Sequence, residues 1–163
     1  RAADLEPTLG VILYTLAHTY FFAGRFDDAI QQHLHTLDIV RHYAISYASL
    51  LRAYAMKGAL GEAGRVLQEW ESVSGSHASG PWRAYWLARC ERIAEAKATF
   101  ETWVNSDNPA SKSPLSIAIA QVALGETASA LSTLEDAVQK RSPAAIWLKV
   151  APELEPKIGR AHV

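Results

Sequence analysis

Apolar residues recur along this chain at helical spacing, in paired segments separated by turn chemistry. Segments 8–23, 43–57, 81–90 and 114–124 are each expected to form a first helix. Segments 26–40, 60–73, 92–104 and 127–140 are expected to form a second helix after a turn. The second helices carry apolar positions a turn apart, as in Leu131, Leu134 and Val138. Gly24, Gly58 and Gly125 stand between the members of a pair, where a left-handed residue ends a helix. An apolar anchor follows (Phe26, Leu60, Ile93), then a small residue (Ala29, Ala63, Ala96, Ala130) where two helices must approach closely. Ser113-Pro114 reads as an N-cap with a first-turn proline. Residues 74–80 and 105–109 are rich in Ser, Gly, Asn and Asp and read as loops.

The pairs are related by an internal period. Leu16, Tyr20, Gly24 and Ala29 are matched 34 residues later by Leu50, Tyr54, Gly58 and Ala63. Ala96 and Ala130 continue the series after 33 and 34 residues, and Gly125 precedes Ala130 as Gly24 precedes Ala29. A 34-residue helix–turn–helix unit with Leu, Tyr, Gly and Ala at these spacings resembles the tetratricopeptide repeat, most closely over Thr15–Ile30. The resemblance covers residues 7–141. It implies an all-α, right-handed superhelix of about four repeats (7–41, 42–75, 77–108 and 111–142) with a short capping helix in 143–157. The ending Ser142–Pro156 is similar to the segment that closes such arrays in bacterial signalling proteins: winged-helix regulators, serine/threonine kinases and nucleotide cyclases. His33 replaces a large apolar residue of the family pattern, Thr36, Trp70 and Trp103 replace alanines, and Glu91 replaces a turn glycine.

Composition agrees with a helical, core-forming chain. Among 163 residues, 49% are apolar and 28 are alanine. The net charge of -1 disfavours a surface that tracks phosphates, so no nucleic-acid contact is expected. The uncharged run 8–24 is shorter than the ~18–20 apolar residues of a membrane span, so a buried helix and a cytoplasmic setting are expected. The last six residues, Ile158–Val163, match the in-frame translation of a common sequencing-library adapter (ATC GGA AGA GCA CAC GTC) and read as a scar. With Arg1 at the other end, the sequence is expected to be a piece of a longer protein.

The resemblance implies a concave face lined by first helices, which binds peptides or proteins. Its positions fall on Val11, Tyr14, His18, Phe21 and Phe22, then on Ile45, Ala48, Arg52, Ala55 and Met56. The third and fourth repeats contribute Trp82, Tyr85, Arg89, Leu115, Ile119 and Val122. Such a groove takes an apolar segment of a partner, or packs against upstream repeats of the same chain. The Lys/Asn clamp of chaperone-tail binders is missing, because Tyr14, His18, Ser49, Arg52, Ala78 and Trp82 stand there. Receptors for bacterial signalling peptides use groove asparagines, whereas Asn105 and Asn108 lie in a loop.

No catalytic, cofactor or metal site is expected. His33 and His35 diverge by roughly 200° on a helix and cannot share a metal. Asp27-Asp28 complements a helix N-terminus. Arg89 and Arg92 beside Cys90 favour its thiolate, although a bystander thiol is the simpler reading. Trp82 and Trp86 share a helix face and are expected to pack in the core beside Trp70 and Trp103. The functional expectation is therefore a non-catalytic interaction scaffold of a larger bacterial signalling or transcription-regulatory protein. A regulatory array behind an upstream kinase or cyclase domain is the alternative, and an RNA-binding hairpin repeat fits less well. The first helix is expected to expose Val11, Ile12, Tyr14, Phe21 and Phe22. At the other end Lys149, Glu153 and Glu155 are expected to face water.

Overall fold

A computed structural model describes residues 6–40, 43–76, 78–106, 112–147 and 150–154. Eight α-helices follow one another: α1 (Glu6–Phe22), α2 (Phe26–Ile39), α3 (Ala44–Met56), α4 (Leu60–Ser74), α5 (Gly80–Arg89), α6 (Ile93–Val104), α7 (Pro114–Ala123) and α8 (Thr127–Gln139). A short 3-10 helix, Pro143–Trp147, comes last, and there is no strand among the described residues. Every α-helix boundary lies within about two residues of the segment expected from apolar spacing, the usual scatter of helix ends.

The four hairpin turns share one geometry. Gly24 donates its backbone N–H to the Phe21 carbonyl at 3.0 Å, and Arg25 donates to Tyr20 at 2.9 Å. Gly58 and Ala59, Glu91 and Arg92, and Gly125 and Glu126 repeat this pair of bonds at 2.8–3.1 Å. The pair satisfies carbonyls that a helix C-terminus otherwise leaves open. Gly24, Gly58 and Gly125 take φ of 73°, 78° and 82°, and Glu91 takes 62° at the matching place. A side chain in this region crowds the following carbonyl. The third turn therefore adopts the common shape at a cost that the other three avoid. The residue after each turn caps the next helix, with φ between -80° and -90° and ψ between 55° and 66°.

Each turn delivers an alanine to the hairpin seam. Ala29, Ala63, Ala96 and Ala130 are all fully buried. Ala96 sits in a core cluster with Ala84, Leu87 and Ala88 of α5, Phe100 and Trp103 of α6, Ala120 of α7 and Leu124, which caps α7. The short side chains let the helix axes approach where a leucine would overfill the seam.

The chain divides into two compact units, residues 1–79 and 80–163, with two hairpins in each. In the first unit α1 packs on α2, α2 on α3 and α3 on α4, with a lesser contact between α1 and α3. In the second unit α5 packs on α6 and α7 on α8, and the hairpins meet through α5 and α7. The linkers differ too: residues 40–43 join the hairpins of the first unit, and the longer stretch 105–113 joins those of the second. Lys112 in that stretch donates to the carbonyls of Val104 at 2.9 Å and Ser106 at 2.6 Å, closing the end of α6.

Trp103 shows how the second unit absorbs an oversized residue. It stands where the other second helices carry Thr36, Trp70 and Ala137, all buried. Its indole lies against Gly80 at the start of α5, where an added Cβ would fall 2.1 Å from Cδ1. A glycine there is a steric requirement. Trp82 and Trp86 are half-buried, and Trp86 packs against the core cluster that holds Trp103.

The C-terminal segment differs from expectation. The expected short helix is the 3-10 helix Pro143–Trp147, which packs on α7 and α8. Glu153, expected in water, is buried along with Ala151 and Leu154, because the chain turns there and Leu154 N–H bonds the Ala151 carbonyl at 3.1 Å. Lys149, Glu155 and the hexamer 158–163 lie outside the described residues.

Candidate functional site

Two successive first helices, α1 and α3, present the same side-chain pattern one repeat apart. Val11 and Ile45 occupy matching positions and are both exposed, at 54% and 46%. Phe22 and Met56 also match, and both are half-buried. Tyr14 lies between Val11 and Phe22 on α1 and is half-buried as well. These five residues form an apolar surface across α1 and α3.

Beneath it runs a buried polar row. His18 and Arg52 occupy matching positions, and both are inside. The His18 ring stacks on Tyr14 at 4.9 Å and meets Phe22 edge-on at 4.4 Å. The Arg52 guanidinium lies over the Phe21 ring at 4.5 Å, with the Phe22 ring farther off at 6.0 Å, a cation–π arrangement. Burial, with the Arg52 charge added, lowers the His18 pKa to about 4. Burial raises the Tyr14 hydroxyl above its ordinary value, against the opposing effects of a hydrogen bond with Ser49 and the Arg52 charge. The row is therefore neutral at His18 and cationic at Arg52 near pH 7.

His33 of α2 adjoins this row, with its ring 5.9 Å from Tyr14. It is fully buried, and neither ring nitrogen has a hydrogen-bond partner among the described residues. Its pKa falls to about 3, first through burial, then through His18 and Arg52. A histidine here fills a core position that the repeat pattern reserves for an apolar side chain.

The remaining candidates separate by exposure. Tyr85 and Ile119 are buried, Trp82 and Leu115 are half-buried, and Arg89 is exposed. Phe21, expected on the surface of the first helix, is fully buried between Arg52 and Phe26, whose ring lies 5.5 Å away. His18, Phe21 and Arg52 thus support the α1–α3 surface from within, whereas Tyr85 and Ile119 are buried in the second unit. A second exposed face of α1 carries Leu9, Ile12 and Leu16 among threonines, with Ile12 at 60%. One repeat later Tyr43 is half-buried and Ser46 and Leu50 are buried, where α2 packs on α3.

No family model, curated protein or solved structure matches the chain.

Among the described residues no three His, Cys, Asp or Glu side chains gather to hold a metal ion. No described helix is long and apolar enough to cross a membrane. The Cys90 thiol behaves contrary to the expectation from its arginines. Burial pushes its pKa up, and the opposing charges of Arg92 and Arg89 do not restore it. Sequence reasoning missed the cavity between α2, α3 and α4, which is lined by Leu34, Leu37, Tyr47 and Val73 among others. The available signal was Leu34 and Val73, apolar residues in excess of what the buried stripe of each helix needs.

Proposed function

We infer that the chain is a tetratricopeptide-type helical repeat and a non-catalytic docking scaffold. The α1–α3 surface buries an apolar segment of a partner protein. Supporting the repeat assignment are the four turns of common geometry and the four buried seam alanines. The observation that carries the docking role is the matched pair Val11 and Ile45, flanked by half-buried Tyr14, Phe22 and Met56. Exposed β-branched residues at the same register of neighbouring helices form a continuous apolar strip, where isolated exposed apolar residues would need no explanation. Covering the exposed portion of Val11 and Ile45 contributes about 1 kcal/mol each, so the rim must supply further contacts. The similarity of residues 148–156 to the closing segment of bacterial signalling arrays supports a place in such a protein, in the cytoplasm.

A displayed library of uncharged peptides selected against the full chain tests this reading. Selected peptides should be rich in Leu, Ile and Phe, and Ile45→Glu should weaken them at least about tenfold, or 1.4 kcal/mol. Val138→Glu, an exposed apolar position on α8, should leave affinity unchanged. Equal loss from both substitutions, or none from Ile45→Glu, would remove the α1–α3 surface from the account.

A further inference from the structure

The second helices of the first unit enclose a separate feature. Between α2 and α4, with α3 as its floor, lies an open cavity of about 490 Å³. Buried Tyr47 and Leu50 of α3 make its base, and buried Val66 stands on the α4 wall. Leu34 and Val73, 44% and 39% exposed, stand on its walls, with Leu37 half-buried beside them. The α4 wall residues Val66 and Val73 are about two helical turns apart, or roughly 10 Å, a length that matches about two turns of a docked helix.

The charges on this groove all have one sign. Asp38 of α2 and Glu69 of α4 line it and are exposed, and no Lys or Arg lines it among the described residues. Neither helix has a basic residue in its last turn. Asp38 lies in the last turn of α2, where the helix dipole is already negative and a carboxylate is disfavoured. The placement concentrates negative potential at the groove. Tyr47 donates its hydroxyl to Glu69 Oε1 at 3.1 Å and so fixes that carboxylate over the apolar floor.

We propose that the α2–α4 groove is a second docking site, which takes a cationic amphipathic helix. The helix seats apolar side chains against Leu34, Leu37 and Val73 and presents lysine or arginine to Asp38 and Glu69. An apolar floor alone accepts any hydrophobic segment. The two carboxylates select one with basic flanks and repel acidic ones. The site is independent of the α1–α3 surface, since it is built from α2, α4 and the side of α3 that bears Tyr47 and Leu50.

The probe is a fluorescently labelled synthetic helix of Leu at i, i+3, i+4 spacing with Lys elsewhere, alongside Lys→Gln and Lys→Glu counterparts. Anisotropy titrations use the full chain. The lysine peptide should bind at least tenfold more tightly than either counterpart, with affinity falling as salt rises. Asp38→Asn combined with Glu69→Gln should cut that affinity at least tenfold, and glutamine at 69 still accepts the Tyr47 hydrogen bond. Leu34→Ser with Val73→Ser should weaken it comparably while far-UV circular dichroism stays unchanged, because both positions are exposed. Ile45→Glu should have no effect. Equal binding of the glutamine peptide, or full affinity in the carboxamide variant, overturns the proposal. Loss of binding in Ile45→Glu also overturns it, since the peptide then sits on the α1–α3 face.

Discussion

His33 carries a chemical cost that an apolar side chain would not. Two buried ring nitrogens without partners lose their hydration and gain nothing in exchange, a penalty of about 1–3 kcal/mol. Leucine is near it in volume, so His33→Leu should raise stability by that amount at pH 7, read from the urea midpoint. An unchanged or lower midpoint would show that the imidazole makes contacts the packing does not reveal. The pH dependence has a definite sign. Unfolded, His18 and His33 take up protons near pH 6.5; folded, they do so at about 4 and about 3. Between these values the unfolded chain binds more protons, so this stability is fully present above pH 6.5 and is lost as pH falls towards 3. His33→Leu should flatten the decline between pH 6.5 and 4, and a parallel curve would contradict the assignment. Gly80 supplies a second test at this scale. Gly80→Ala should cost about 1–3 kcal/mol by displacing Trp103, and Trp103→Leu should relieve that cost in the double variant. Additive losses would mean that the two residues do not share one space.

At the scale of elements, the hairpin turn is the unit that recurs, and Glu91 is its weak member. Glu91→Gly should stabilise the chain by about 1 kcal/mol, because glycine removes the left-handed penalty and Glu91 is exposed. Thermal midpoints of the two proteins decide it, and a lowered midpoint would mean the Glu91 side chain is itself needed. This repeating turn was legible in the sequence because its determinants are local: a glycine, an apolar anchor and an alanine at fixed offsets. Helix boundaries were legible for the same reason. Side-chain partition across helices was not. Arg52 covers Phe21 from 31 residues away, and nothing in the spacing of α1 shows that its phenylalanine already has a lid. The resemblance to tetratricopeptide repeats implies a binding face for His18 and Arg52, but both are buried where α1 and α3 meet. The α2–α4 groove was missed because periodicity reports which side of a helix is apolar, whereas a cavity depends on how far apart two helices stand.

The whole molecule divides its work between what is covered and what is left open. Its seam alanines, turn hydrogen bonds and core clusters form a helical frame without a strand among the described residues. In the first unit its exposed large apolar residues are most numerous on α1, which carries Leu9, Val11, Ile12 and Leu16. This helix has no described carboxylate or lysine from Val11 to Phe22, and α3 adds Ile45 at the register of Val11. A surface meant only for water would carry charge there. That contrast is the basis of the docking account, and amide hydrogen exchange tests it directly. A peptide selected against the full chain is added at saturation, and exchange is compared with the free protein. Slowed exchange confined to α1 and α3, abolished by Ile45→Glu, is the predicted result; protection elsewhere, or no change in α1 and α3 at saturation, would contradict it.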